Sequence, residues 1–160
     1  MSRHRNRPWH LAAASMITVA LALAGCNRKT LYHHYEHTPL AGWEKSDTLY
    51  FSVKPNTSRT TIRRDVELRI TSAYPFKGLN LVVEQTALPS QQSRHDTIDC
   101  RLTDDEGYTL GNGITLYQYR FELPDATINQ GDSLRLSIRH NMKRETLPGI
   151  ADIGIRLTTY

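Results

Sequence analysis

The chain has 160 residues and a formal charge of +4, an excess carried mostly by three arginines ahead of residue 26. From Cys26 onward 17 Lys and Arg stand against 16 Asp and Glu, so no field strong enough to gather nucleic acid remains. Those 135 residues are one domain's worth, enough to bury a core.

Arg3, Arg5 and Arg7 precede an uncharged apolar run from Leu11 to Leu23, and no acidic residue appears before Glu36. A basic start followed by such a run is a secretory signal peptide. The run is too short for a stable membrane span, which needs about 20 apolar residues. It ends in Leu23-Ala24-Gly25-Cys26, which resembles a bacterial lipobox. In that motif the cysteine thiol receives a diacylglyceryl group, and the chain is then cut before it. Residues 1–25 are therefore expected to be a lipoprotein signal peptide, and Cys26 the lipidated first residue of the mature protein. Lipid on Cys26 leaves Cys100 as the second and last cysteine, with no partner for an internal disulfide.

Residues 26–45 read as the lipidated N-terminus and an extended tether, polar and interrupted by Pro39 and Gly42. Within it His33, His34, Glu36 and His37 invite a metal reading, because imidazole suits zinc, copper and nickel. His33 and His37 would share a face only on a helix, no HExxH arrangement is present, and the flanking sequence does not favour a helix. Adventitious metal binding is the expectation, with Tyr32, Tyr35 and Trp43 pinning the segment onto the domain.

From residue 46 the hydrophobic period is two. Leu49, Phe51 and Val53 alternate with Tyr50 and Ser52 until Pro55. From Ile62 to Ser72, Arg64, Val66, Leu68 and Ile70 fall on one parity. Arg63, Asp65, Glu67, Arg69 and Thr71 fall on the other, predicting one buried and one solvated face. Leu79 to Glu84 has a mixed pattern that suits a strand covered on both sides or bent by a bulge. Asp96–Thr103, Leu116–Leu123, Leu134–His140 and Ile150–Thr158 complete the series, divided by turns at Asp104–Gly107 and Gly111–Gly113 and by a loop over 141–149. With no amphipathic helical stretch, the fold class is all-β. We expect an antiparallel β-sandwich, jelly-roll-like, of about seven or eight strands over residues 46–160.

Chemistry is sparse. No motif brings a nucleophile, base and acid together, so no catalytic residue and no cofactor is expected. Cys100 alternates with Ile98 and Leu102 and reads as a small core residue. Asp104, Asp105 and Glu106 lack the spacing of a calcium loop and read as a solvated turn. His140 reads as a hydrogen-bonded structural histidine, and Tyr117, Tyr119 and Phe121 as core aromatics.

Several segments resemble the GldH family of gliding-motility lipoproteins. They are Tyr74-Pro75-Phe76 leading to Leu79-Asn80-Leu81, Asp96-Thr97-Ile98, Leu102 to Gly107, and Leu110-Gly111. His140-x-Met142 and Leu147-Pro148-Gly149-Ile150-x-Asp152-Ile153-Gly154 follow, the latter being the most specific. The resemblance implies a membrane-anchored envelope lipoprotein tied to gliding motility and the linked secretion apparatus, and it carries no established catalytic residues. The expected function is thus a non-enzymatic, lipid-anchored component that binds other envelope proteins of the motility or secretion machinery. Residues 27–30 lack the acidic cluster that directs some lipoproteins to the cell surface, so a periplasm-facing protein on the outer membrane is expected. The alternative is a carbohydrate-binding lipoprotein, which would need Trp43, Tyr74, Tyr108 and Tyr117 exposed.

Overall fold

A computed structural model describes residues 29–55 and 57–160. The expected signal peptide and the expected lipidation site, Cys26, lie outside the described residues. Ten strands form among them and no helix: β1 (Thr30–His37), β2 (Trp43–Glu44), β3 (Leu49–Val53), β4 (Thr60–Thr71), β5 (Gly78–Leu88), β6 (Ser93–Arg101), β7 (Leu116–Ile128), β8 (Ser133–His140), β9 (Thr146–Leu147) and β10 (Ile150–Thr159).

The eight longer strands make two four-stranded antiparallel sheets, β1-β10-β4-β7 and β3-β8-β5-β6. Apart from the β5–β6 hairpin, successive long strands cross from one sheet to the other, which is the connectivity of a jelly roll. The alternation of period two explains why the sheets meet. Val66, Leu68 and Ile70 of β4 and Ile153, Ile155 and Leu157 of β10 point inward against Leu134, Leu136 and Ile138 of β8 and Leu81 and Val83 of β5, all buried. The small pair β2–β9 closes one end of this interior with Trp43 and Leu147, both fully buried. Just beyond it Gly149 adopts φ +80°, and a Cβ there would stand 2.3 Å from the Tyr74 backbone nitrogen. Only glycine fits that corner.

Two expectations are corrected. Residues 30–44 are not a tether, because β1 pairs along its length with β10 and the sandwich begins at Thr30 rather than at residue 46. The strand lacks a hydrophobic alternation because it lies at a sheet edge, where Tyr32 and His34 face inward at the rim and His33 and Tyr35 dock on charges. Together with the two-residue β2 and β9 it raises the strand count to ten. The second correction concerns β4, whose supposedly solvated face holds Asp65 and Glu67 in burial.

Candidate interaction face

Cross-strand register places side chains from four strands in rows on the outer face of the β1-β10-β4-β7 sheet. One row is Tyr35, Gly154, Glu67 and Arg120. Its neighbours are His33, Arg156, Asp65 and Glu122 on one side and His37, Asp152, Arg69 and Gln118 on the other. Four arginines counting Arg63 thus face four carboxylates.

Glu67 is the hub. Although only 3% exposed, its carboxylate accepts from His33 Nε2 at 2.7 Å, from the Tyr35 hydroxyl at 2.5 Å and from Arg120 Nε at 2.8 Å. Arg156 approaches to 3.8 Å. Burial alone would push this carboxyl up, but the bonds from Tyr35 and His33 and the charge of Arg120 outweigh it and hold the group below its usual range. Tyr35 responds oppositely: burial and its bond to Glu67 push the phenol up to about 12.

Gly154 makes the hub possible. The Tyr35 ring lies across it, so that a Cβ would stand 2.7 Å from the ring carbons. Arg69 stacks on the same ring at 3.8 Å, a cation–π contact. Around the hub, Asp65 meets Arg63 at 3.4 Å, Arg63 pairs with Glu122, and Asp152 pairs with His37 and with Arg69 at 3.5 Å. Beside Glu67 a shallow hollow of about 310 Å³ is lined by Tyr35, Asn112, Gln118, Tyr119 and Arg120. The face is charged but balanced, and the hub carboxylate is already surrounded by donors. Such a surface is preorganised for polar complementarity rather than for proton abstraction.

On the inner side of the same strand Arg64 is fully buried and crosses the interior. It donates to Gln85 Oε1 at 3.1 Å, to Asp96 Oδ2 at 2.7 Å and to the Pro124 carbonyl at 2.6 Å and 2.9 Å. Burial would raise the Asp96 carboxyl, yet Arg64 and Arg94 hold it below its usual range. Arg64 therefore ties β4 and the bend in β7 to β5 and β6 of the opposite sheet.

The predicted candidates are dispersed. A strand sends alternate side chains to opposite faces, so His34 and Glu36 point away from His33 and His37. Four strand residues separate those last two by about 13 Å, and each has its own carboxylate. Among the described residues no group of three or more His, Cys, Asp or Glu converges. Asp104 caps its own turn by accepting from the Tyr108 backbone at 2.7 Å, and Asp105 pairs with Arg101. Cys100 lies in the core, where burial pushes the thiol up to about 12. Of the aromatics a glycan platform would need, Trp43 and Tyr74 are buried and Tyr117 is half-buried, which leaves Tyr108 alone exposed. Tyr119 and Phe121 are partly buried at the rim and stacked on each other.

His140 is fully buried, edge-on to Trp43 with ring centroids 5.2 Å apart. The backbones of Trp43 and Glu145 are the polar groups nearest the ring, although neither contact reaches strict bonding geometry among the described residues. Burial lowers its pKa from the usual value. The neutral ring is thus favoured in the fold, while the unfolded chain takes up a proton near pH 6.5. Stability from this site is complete above about pH 6.5 and declines as pH falls below it. Replacing His140 by phenylalanine should flatten that decline below about pH 6.5, as measured by urea unfolding at several pH values. An unchanged slope would assign the acid sensitivity elsewhere.

Sequence reasoning missed Glu67, Arg120, Arg156 and Gly154 as a set. Their only signal was the regular charge alternation of β4, and their partners lie on strands remote in sequence.

A family model described as GldH lipoprotein matches residues 30–157. A curated relative, the gliding motility lipoprotein GldH of Flavobacterium johnsoniae, is 26% identical over 149 residues, 89% of this chain and 92% of its own. Solved structures give distant likenesses. Eiger TNF from S. frugiperda has a TM-score of 0.39 at 9% identity, over 82% of this chain and 94% of that one. A family 35 carbohydrate binding module from Clostridium thermocellum has a TM-score of 0.37 at 9% identity, over 81% and 98%. Nothing about function follows from likenesses at that distance.

Proposed function

We propose, from the premise that this chain belongs to the GldH lipoprotein family, that it is a lipid-anchored envelope lipoprotein of gliding motility. It works without catalysis, by binding other proteins of the motility apparatus and the linked secretion machinery. The observation that carries this reading is the Glu67 face, where every carboxylate has a cationic partner and the hub accepts from Tyr35, His33 and Arg120. A carboxylate so occupied has little capacity left to act as a base, whereas a fixed array of paired charges gives a partner protein register and selectivity.

The anchor is Cys26 with its acyl chains, and the location is the outer membrane, facing the periplasm. Each buried CH₂ contributes about 0.8 kcal/mol, so several chains hold the protein permanently. Confinement to the membrane raises the effective concentration seen by partners there. Cys26→Ser is expected to move the protein almost wholly from the membrane to the soluble fraction, read by fractionation and by mass analysis of the N-terminal peptide. Full membrane retention would refute the anchor. Crosslinking in intact envelopes, followed by mass spectrometry, should recover protein partners from the native chain and fewer from Glu67→Ala. Recovery of none from the native chain would refute the binding role. Protease added to intact cells should spare the domain until the outer membrane is permeabilised.

A further inference from the structure

Lys29 is already part of the sandwich. Its carbonyl accepts from the Thr159 backbone at 3.0 Å and from the Thr159 hydroxyl at 3.4 Å, which fixes it to the end of β10. Cys26 lies three residues earlier in the chain, and three extended residues reach about 10 Å. An acylated Cys26 therefore brings one particular end of the sandwich to the bilayer surface.

The strand directions say which end it is. Thr30 pairs with Thr158, Thr159 with Ile62 and Val53 with Leu134. The described residues beside Lys29 are consequently 54–55 and 57–59, with the loops over 89–92 and 129–132. Lys29, Lys54 and Arg59 are exposed there, and none of them joins an ion pair among the described residues. The carboxylates nearby are engaged: Asp132 is buried and accepts from Ser90 and Asn129, and Asp125 accepts from the Tyr160 hydroxyl. The opposite end carries Trp43 and Leu147 under their turns and the Asp104–Glu106 loop. With β4 running 12 residues between the two ends, that far end stands about 40 Å along the strand direction.

We propose that the end carrying Lys29, Lys54 and Arg59 rests on the membrane, and that these three side chains bind the phosphate groups of anionic phospholipids. Cations held within a Debye length of a negatively charged surface are attracted to it, and the attraction is screened by salt. This inference rests on the acyl anchor proposed above.

The test uses the full acylated protein in phosphatidylcholine vesicles with and without phosphatidylglycerol. The vesicles are separated by flotation, and amines are then labelled and quantified by mass spectrometry. On anionic vesicles Lys29 and Lys54 should label several-fold less than in detergent, and Lys143 at the far end should label equally in both. A photocrosslinking residue at position 58 should capture lipid, and one at position 108 should not. The double variant Lys54→Glu with Arg59→Glu should still float, with Lys29 labelling restored to near its detergent level. Floating vesicles on which Lys54 labels as freely as in detergent would overturn the inference and leave the anchor standing. Failure of the native protein to float would overturn both.

Discussion

Arg64→Met is expected to lower the unfolding free energy by about 3 kcal/mol, at the lower end of the range for breaking a buried charge pair. In a domain of this size that is a fall of roughly 12 °C in melting temperature. The guanidinium is fully buried and serves Asp96, Gln85 and the Pro124 carbonyl at once. A methionine fills part of the volume but leaves two of those acceptors without a donor. Asp96 keeps Arg94 at 3.2 Å, which limits the loss. For the same reason Asp96→Asn should cost less, about 1 kcal/mol, since the amide still accepts one bond. Denaturant melts of the two variants side by side check the ordering. Equal costs would mean that Arg64 acts through packing rather than through its three acceptors.

Trp43→Ala should be costlier still, about 4 kcal/mol, the usual loss when a large buried aromatic is truncated. The indole is fully buried, donates to the Asp47 carbonyl at 3.1 Å and covers the edge of His140. Its removal opens the end of the sandwich and admits water to the His140 ring. The variant should therefore lose part of the acid sensitivity attributed to His140 as well as stability. Thermal melts at pH 7.5 and 5.5 separate the two effects. A loss under about 1 kcal/mol would show that β2 and β9 close over the gap.

Much of the fold is legible in the sequence, and the reason is a period of two that one-sided burial imposes. Leu49 to Val53, Val66 to Ile70, Leu134 to Ile138 and Ile153 to Leu157 each put apolar residues on alternate positions, and each is a strand where expected. The signal fails where burial has another cause. His33 and Tyr35 are held by a carboxylate on another strand, so β1 carries no aliphatic stripe. Glu67 reads as a surface residue because charge pairing, not apolarity, takes it out of water. Its partners Tyr35, Arg120 and Arg156 become neighbours only once the registers are set. Arg64 shows the converse: its parity marks it as inward-facing, but nothing in the sequence names Asp96, Gln85 and Pro124 as its acceptors. Trp43 and Leu147 form their pair through two-residue strands, too short for any periodicity to reveal.

The order of strands in the first sheet bears on how the protein is made. β10, the latest in chain order of the ten described strands, lies between β1 and β4. Until it arrives, β1 has no neighbour in its own sheet and β4 keeps one long side of unpaired backbone groups. If the chain is exported and acylated at Cys26 as proposed, β1 is still without its sheet neighbour while β10 has yet to cross. Exposed edges of that kind invite pairing with other chains, so the first sheet is most open to misassembly before β10 is in place.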